Sequence, residues 1–377
     1  MTVALSRRAR WRRRGLLLLG MLPWPVRRPT PLRRLALFRP DHLGDLILAA
    51  PAIERLRLAL PAAEVHLWVG PWAEPLAKGI AGVTVRTLPF PGFERAPKRS
   101  ALAPYRLLVA EAARLRAERY DAVVLLRFDH WWGALLSRLA GIPLRLGYAQ
   151  PDAAPFLTHR VRYRPGRHET LQNSRLIDHL IRLAGGTPPA QPPGRPRIVF
   201  PDEAPPDGLP ARFVVLHPGA GSPVKRWRPD GYAAVARWLA DRGFALLVSG
   251  SERERILVEE TVAAMPVPAR ALIGLPLPAL AATLRRATLA LGPDSGIMHL
   301  ASAVGTPTVR LYGPVDHRAF GPWADPASVV VASSFLCAPC NRLDWQERDL
   351  PAHPCVFDLP VSRVIAAVEQ ALLVAVP

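Results

Sequence analysis

Short apolar strands alternate with helices along this chain, and the alternation runs twice. The first run begins with a strand at 35–38 and a helix at 46–60, and it continues to a helix at 168–183. The pattern restarts with a strand at 213–216 and ends with a helix at 361–374. Short apolar strands between helices are typical of parallel sheets that are covered on both faces. We therefore expect an α/β protein with two doubly wound units that face each other across a cleft.

A stretch rich in proline and glycine, residues 185–210, separates the two runs and shows no periodicity. At roughly 150 residues per domain, 377 residues also suggest two domains. The predicted organisation is a basic tail at 1–32, a first domain at 33–190 and a second domain at 191–377. The last helix is a candidate to pack back onto the first domain.

Positive charge is concentrated at the start of the chain. The formal net charge is +19, and residues 1–34 contain ten Arg but no Asp or Glu. An apolar stub at 15–22 between Arg clusters favours an interfacial anchor on anionic lipid, with a disordered basic tail as the alternative. The high Arg content is interpreted as compositional bias, and no RNA-binding motif appears, so we expect no nucleic-acid partner.

Other global features point to the cytoplasm. Three cysteines, all between 337 and 355, do not form a disulfide framework and suit a reducing compartment. No apolar run reaches the ~20 residues that a membrane-spanning helix needs. We therefore predict a cytoplasmic protein that is peripheral on a membrane.

The most informative motif follows a buried strand and reads DSGIMHLASAVGTP at 294–307. Ser295 is a good N-cap, and the first free amides of the next helix form an anion site suited to a diphosphate. Gly296 would let a phosphate approach without a Cβ clash. Asp294 could hold a sugar hydroxyl, and His299 could point back to the same ligand. In the alternative interpretation, Asp294 and Ser295 only cap the helix and His299 is a buried core imidazole.

A second motif, HPGAGSPVKRW at 217–227, follows the first strand of the second run. The backbone at Gly221 and Ser222 could present amides to phosphate oxygens, and Lys225 could neutralise them. The alternative for Lys225 is a solvated loop charge. The chain has neither a Walker A loop nor a GxGxxG after a strand, so a dinucleotide-dependent oxidoreductase is disfavoured.

The third motif, RPDHLGD at 39–45, lies at the first strand–helix turn. Gly44 would let a substrate come close, and Asp45 at the helix entry could act as a general base toward an attacking hydroxyl. The alternative is that Asp45 is an N-cap. Asp41 and His42 compete for the same catalytic role.

Together these three motifs resemble glycosyltransferase family 9, the ADP-heptose:lipopolysaccharide heptosyltransferases. The family pattern has Gly-Asp before a helix with an early proline, here Gly44-Asp45 and Pro51. It then has HPG with KxW, and D[S/T]GxxHxAxAxGxP, which match residues 217–227 and 294–307. The resemblance covers roughly residues 33–375.

The resemblance implies a GT-B fold of two Rossmann-like domains and an enzyme of lipopolysaccharide biosynthesis. The implied reaction is an inverting, metal-independent transfer of a heptose, or a related sugar, from an ADP-sugar to a lipopolysaccharide-core-type glycolipid. The implied setting is the inner membrane surface, reached through the basic N-terminus. The acceptor belongs to the first domain and the nucleotide sugar to the second.

The resemblance also assigns roles to residues. Asp45 matches the catalytic base, Lys225 the lysine at the donor phosphates, and Glu252 the ribose-binding acid, with Glu254 as the fallback. Leu275 would lie near the base of the nucleotide. The diphosphate and sugar contacts are Asp294, Ser295, Gly296 and His299.

Some features depart from the family pattern or leave alternatives open. The basic stub is long, and the residues ahead of Gly44 differ. Cys337, Cys340 and Cys355 with His353 have a spacing that could bind zinc, but ordinary loop thiols are favoured and no metal is expected. Alternative functions are a glycosyltransferase with another nucleotide sugar and surface-glycan acceptor, or a non-catalytic nucleotide-sugar binder at the membrane surface.

Overall fold

The computed structural model describes residues 14–15, 18, 31–93, 102–200 and 204–375. Nearly all of the predicted basic tail lies outside these residues, so its role stays a prediction. Within the described part of the chain, no helix is both long enough and apolar enough to cross a bilayer.

The described residues form two successive sets of alternating strands and helices. The first set comprises β1 Arg34–Arg39, α1 Leu43–Ala59, β2 Glu64–Val69, α2 Glu74–Ala77, β3 Thr84–Thr87, α3 Ala103–Ala117, β4 Ala122–Leu125, α4 Trp131–Leu139, β5 Leu144–Tyr148, β6 His159–Val161 and α5 Glu169–Leu183. The second set comprises β7 Phe213–Leu216, α6 Pro229–Ala240, β8 Ala245–Gly250, α7 Arg255–Ala263, β9 Ala269–Ile273, α8 Leu277–Arg286, β10 Leu289–Pro293, α9 Gly296–Ala303, β11 Thr308–Tyr312, α10 His317–Phe320, β12 Ser328–Ala332 and α11 Val361–Ala375.

Each set builds a six-stranded sheet in which the paired strands are parallel. The strand orders are β3-β2-β1-β4-β5-β6 and β12-β11-β10-β7-β8-β9. The order reverses between β1 and β4 in the first sheet, and between β7 and β10 in the second. Ligands of doubly wound sheets bind at such reversals, outside the carboxyl ends of the strands.

Strand β7 shows why these segments are continuously apolar. All four of its side chains are buried, and they alternate between the two faces of the sheet. Phe213 and Val215 join one apolar cluster, whereas Val214 and Leu216 join another. The first of these clusters also contains residues of the first sheet and of α1 and α9, so the core runs continuously between the two sheets.

The C-terminal helix corrects one expectation. Helix α11 packs against strands β10, β11 and β12 of the second sheet and against helix α6. It does not pack on the first domain, for which it was a candidate. Val364, Ala367, Val368 and Ala371 form an apolar stripe at helical spacing and join the core of the second half. That sheet provides the apolar face that the stripe needs.

The connection between the two sets, residues 184–212, has no helix or strand in its described part. The predicted boundary near residue 190 falls within it. The division into domains 33–190 and 191–377 stays a prediction.

Candidate active site

The predicted donor residues lie on loops that follow four adjacent strands. Asp294 follows β10, Lys225 follows β7, Glu252 follows β8 and Leu275 follows β9, and the sheet order is β10-β7-β8-β9. Neighbouring strands are ~4.8 Å apart, so this row is about 14 Å long. The sheet topology therefore brings together residues that are far apart in the sequence, in an order that suits an extended ligand.

Ser295 forms the start of helix α9 as the sequence predicts. It has an extended backbone (φ −151°), and its Oγ accepts a hydrogen bond from the Met298 amide at 3.4 Å. A Cβ on Gly296 would lie 2.8 Å from the Leu43 Cβ and 3.3 Å from the Gly44 amide nitrogen. In this structure Gly296 therefore lets α1 approach α9, and its role as clearance for a phosphate stays a prediction. Gly296 and Ile297 remain half-buried.

Asp294 is the anchor of a buried polar triad with Lys225 and His299. The Lys225 Nζ donates to Asp294 Oδ2 at 2.9 Å, and His299 Nε2 lies 3.5 Å from Asp294 Oδ1. Burial opposes ionisation of Asp294, but Lys225 and then His299 outweigh it and hold the pKa of this carboxyl well below its usual range. Asp294 is thus an ionised partner of Lys225. Because Lys225 is itself buried, the alternative of a solvated loop charge is wrong.

His299 connects the second half of the molecule to the first. A Cβ on Gly44 would lie only 2.9 Å from the His299 Cδ2, so the imidazole packs directly against the start of α1. On its other side, the Arg310 Nη1 lies 3.1 Å from His299 Nδ1. Burial, and then Arg310, lower the pKa of His299, while Asp294 and Asp45 oppose the shift.

The three candidate bases at the start of α1 differ in their exposure and in their charged neighbours. Asp41 is 2% exposed, and its oxygens lie 3.2 Å from Arg39 Nη2 and 3.3 Å from Arg127 Nη1. Burial raises the pKa of Asp41 to about 6, against the opposing charge of Arg39. The side chain of Asp45 is 26% exposed and lies 3.5 Å from Arg39 Nη2. His42 is exposed and is the N-cap residue, so the alternative in which Asp45 is the N-cap is wrong.

The remaining predicted donor residues differ in their exposure and in the partners they already have within the protein. The Ser222 hydroxyl donates to the Leu343 carbonyl at 2.8 Å and is used within the protein, whereas Gly221 is exposed. Glu252 is largely exposed and pairs with Arg255 at 2.7 Å. A Cβ on Gly274 would lie 2.3 Å from Glu252 Oε1, so this carboxylate lies against the loop that carries Leu275.

Glu254, the fallback for the ribose contact, is already engaged. Its Oε2 accepts hydrogen bonds from the Ser251 amide at 2.9 Å and the Ser251 hydroxyl at 2.7 Å, which completes a capping box. The same carboxylate lies against Gly219, where a Cβ would come within 2.2 Å of it. Glu252 is therefore the better placed of the two acids to meet a ligand.

Sequence reasoning missed a set of charges behind the two helix starts: the buried Arg39, Glu169 and Arg310, and the partly buried Arg127. Arg39 contacts Asp41 and Asp45 and lies 4.0 Å from Glu169 at the start of α5. Arg310 is 1% exposed in the middle of β11. A signal was available, because an arginine inside a buried strand such as TVRLY is costly unless its charge is used.

The cysteine segment does not form a metal site in the structure. Cys337 and Cys340 are exposed and Cys355 is buried, where burial raises its thiol pKa to about 11. Across the described ranges, no group of three or more His, Cys, Asp or Glu side chains is placed to hold a metal ion. The zinc alternative therefore has no geometric support.

Comparisons with known proteins match this architecture. The sequence profile of Glycosyltransferase family 9 (heptosyltransferase) matches residues 109–348. Lipopolysaccharide heptosyltransferase 3 of Escherichia coli is 27% identical over 343 residues, which cover 87% of this chain and 96% of that protein.

Solved structures share the fold. The structure of E. coli ADP-heptose lps heptosyltransferase II has a TM-score of 0.69 at 22% identity and covers 90% of this chain and 98% of that one. The iron-containing dodecameric glycosyltransferase TibC from enterotoxigenic E. coli has a TM-score of 0.57 at 16% identity, with 92% and 77% coverage. With its two parallel sheets and this likeness, the chain has a fold of the GT-B type.

Proposed function

The chain belongs to glycosyltransferase family 9 (heptosyltransferase), and we propose that it transfers a heptose, or a related sugar, from an ADP-sugar to a lipopolysaccharide-core-type glycolipid. The names of its relatives support a heptosyltransferase of lipopolysaccharide biosynthesis. ADP is the proposed nucleotide because the similar E. coli enzyme is named for ADP-heptose. The chemistry below is argued from this chain's own residues.

The donor would lie along the carboxyl ends of β10, β7, β8 and β9. Its diphosphate would meet the amides at the start of α9 and the ammonium group of Lys225, where the helix dipole and fixed N–H groups favour negative charge. Its ribose would meet Glu252 and its base would lie beside Leu275. Since Leu43 and Gly44 cover part of Gly296, donor entry would require the starts of α1 and α9 to separate slightly.

The transfer would be a single in-line displacement that inverts the anomeric carbon. An acceptor hydroxyl oxygen forms the new bond to that carbon, while the bond from the carbon to the diphosphate oxygen breaks and its electron pair leaves with ADP. Asp45 takes the hydroxyl proton, which is the role of a general base. Fixed amide dipoles and Lys225 stabilise the charge that develops on the leaving diphosphate.

No step of this proposal passes through a metal. Although a structural neighbour is named as iron-containing, the cysteines of the described residues do not converge with other ligands as a metal site. We propose metal-independent transfer, and the test is whether transfer survives exhaustive chelation.

The acceptor assignment suggests a location. A glycolipid acceptor is embedded in a membrane, and the Arg-rich segment 1–32 has the composition to bind an anionic surface. We therefore propose peripheral association with the cytoplasmic face of the inner membrane. Removal of 1–30 should reduce co-sedimentation with anionic vesicles and leave ADP binding intact, whereas unchanged sedimentation would contradict the anchor.

One observation carries the proposal: His299 on the donor side packs against Gly44, the residue directly before the candidate base Asp45, whose side chain is 26% exposed. The test is release of nucleoside diphosphate from a panel of ADP-, UDP- and GDP-sugars, with a lipopolysaccharide-core acceptor. ADP-heptose should give acceptor-dependent turnover. Turnover with a different nucleotide sugar would favour another surface-glycan transferase, and binding without turnover would favour a non-catalytic binder.

A further inference from the structure

Arg310 is a buried cation for which the chemistry above has no role. It lies in β11, where Val309 and Leu311 point into the apolar core shared with α11. Alternation along the strand directs Arg310 to the opposite face, toward α9. Its Nε donates to Thr308 Oγ1 at 3.2 Å and its Nη1 to His299 Nδ1 at 3.1 Å. Among the described residues, no carboxylate lies within salt-bridge distance of this guanidinium.

The contact with His299 fixes the position of a proton. A guanidinium group has N–H donors and no acceptor, so His299 Nδ1 must accept the hydrogen bond through its lone pair. The neutral imidazole then carries its proton on Nε2. That Nε2 lies 3.5 Å from Asp294 Oδ1, and the Cδ2–Nε2 edge of the ring faces Gly44. His299 therefore presents a donor, not an acceptor, to the crevice between α1 and α9.

We propose that Arg310 is a positioning residue for the donor site, which holds His299 as the neutral Nε2–H tautomer and adds a buried positive charge behind it. This role rests on the proposed donor site. The charge of Lys225 is already offset by Asp294 at 2.9 Å, so Arg310 provides the local excess of positive charge that a diphosphate would compensate. His299 would then donate a hydrogen bond to an oxygen of the bound donor.

The charge state of His299 depends on groups from several elements. Asp294, Asp45, Arg310 and His168 act on it directly, and Lys225 and Tyr312 interact with its neighbour Asp294. Burial and Arg310 lower the pKa of His299, whereas Asp294 and Asp45 raise it. Removing the guanidinium would therefore raise this pKa, so that His299 would take up a proton at a higher pH than in the native protein.

The first test needs no substitution at Arg310. Nitrogen NMR of the ligand-free, ¹⁵N-histidine-labelled protein, with the His299 signals assigned by their loss in His299→Gln, reports the tautomer directly. We expect Nε2–H throughout roughly pH 6–8, the range in which an ordinary histidine titrates. An Nδ1–H tautomer in the native protein would overturn the proposal. Since no ligand is present, this result does not depend on the donor assignment.

The second test uses Arg310→Met with Val309→Ala as the matched control, because both residues lie buried on the same strand. In Arg310→Met, His299 should protonate at higher pH. ADP should bind roughly tenfold more weakly near pH 8 and recover as the pH falls toward 6 and an imidazolium replaces the lost cation. Because the terminal phosphate of ADP itself titrates near this range, affinity is compared at each pH as the ratio to native protein, and this ratio should stay flat for Val309→Ala.

Equal titration of His299 in Arg310→Met and native protein would contradict the proposal, as would a loss of ADP affinity that is the same at every pH. If Arg310→Met does not fold, the tautomer of His299 in the native protein still tests the proposal. A native protein with the expected tautomer but no ADP binding would refute the donor site and leave the role of Arg310 toward His299 standing.

Discussion

Helices α1 and α9 begin in the same way and carry opposite chemistry. Each follows a buried parallel strand, each has a glycine in its first turn, and the two starts touch through Gly44 and Gly296. At α1 the side chains are acidic, with Asp41 and Asp45 balanced from behind by Arg39. At α9 a serine caps the helix, and the cations Lys225 and Arg310 lie close by.

The surroundings of a helix start, and not its local fold, assign its role. Free amides at both termini favour negative charge. At α1 the chain itself supplies that charge as a carboxylate. At α9 the chain supplies a cap and cations, so that in the proposed mechanism the negative charge comes from a ligand. In the proposed mechanism, one start therefore accepts a proton while the other holds the leaving diphosphate.

The largest expected effect is at α1. Asp45→Asn should lower transfer by about a hundredfold to ten-thousandfold, the usual contribution of a general base. ADP affinity, measured by calorimetry, should stay close to the native value because Asp45 is proposed to act on the acceptor and not on the donor. Loss of ADP binding in this variant would instead assign Asp45 a structural role and erase the difference between the two helix starts.

The next effect is at α9. Lys225→Ala removes the partner of a buried carboxylate and the proposed phosphate cation, so ADP should bind roughly 10- to 100-fold more weakly. Adenosine affinity should change much less. The matched control is Lys78→Ala, since Lys78 is exposed and pairs with Glu74, four residues before it, at 3.0 Å. Equal weakening of ADP and adenosine would contradict a phosphate role.

Asp41 provides a test of the buried charge behind α1. Its pKa rises from 3.8 to about 6 on folding, so the folded state binds the proton more tightly than the unfolded state does. The free energy of unfolding should therefore fall as the pH rises from about 4 to 6, with a contribution on the order of 1–3 kcal/mol. Asp41→Asn should flatten this part of the stability profile in chemical denaturation. An unchanged slope would contradict the raised pKa.

The smallest effect compares the two caps. Ser295→Ala removes the hydrogen bond to the Met298 amide and should cost about 1 kcal/mol of unfolding free energy. His42→Ala is the counterpart at α1, where the N-cap side chain makes no capping hydrogen bond, and its cost should be smaller. Equal costs in thermal denaturation would show that the caps do not distinguish the two helix starts.

Much of the fold could be predicted because its strands are short, apolar and bounded by loops. The strands at Phe213–Leu216, Ala269–Ile273 and Thr308–Tyr312 have the predicted bounds. Helix α4 was not predicted, because seven of its nine residues are buried and so short an apolar run does not distinguish a helix from a strand. The strands that follow it, β5 and β6, were missed with it.

The candidate site, like the fold, could be predicted only in part. Local motifs placed Asp45, Lys225, Asp294 and His299 at the ends of strands, and the sheet order brings the last three together. Local spacing could not show that Arg310 reaches His299, or that Leu43 fills the space beside Gly296. Those contacts depend on how one strand or helix lies beside another, which no single motif contains.

A crystal structure with ADP bound tests the central claim most directly. We expect the diphosphate to contact the amides at the start of α9 and the Lys225 Nζ, the adenine to lie beside Leu275, and Asp45 to face the β-phosphate across the crevice. ADP bound elsewhere, for example in the cavity of about 410 Å³ lined by Arg226, Leu257 and Phe357, with the start of α9 still covered by Leu43, would contradict it.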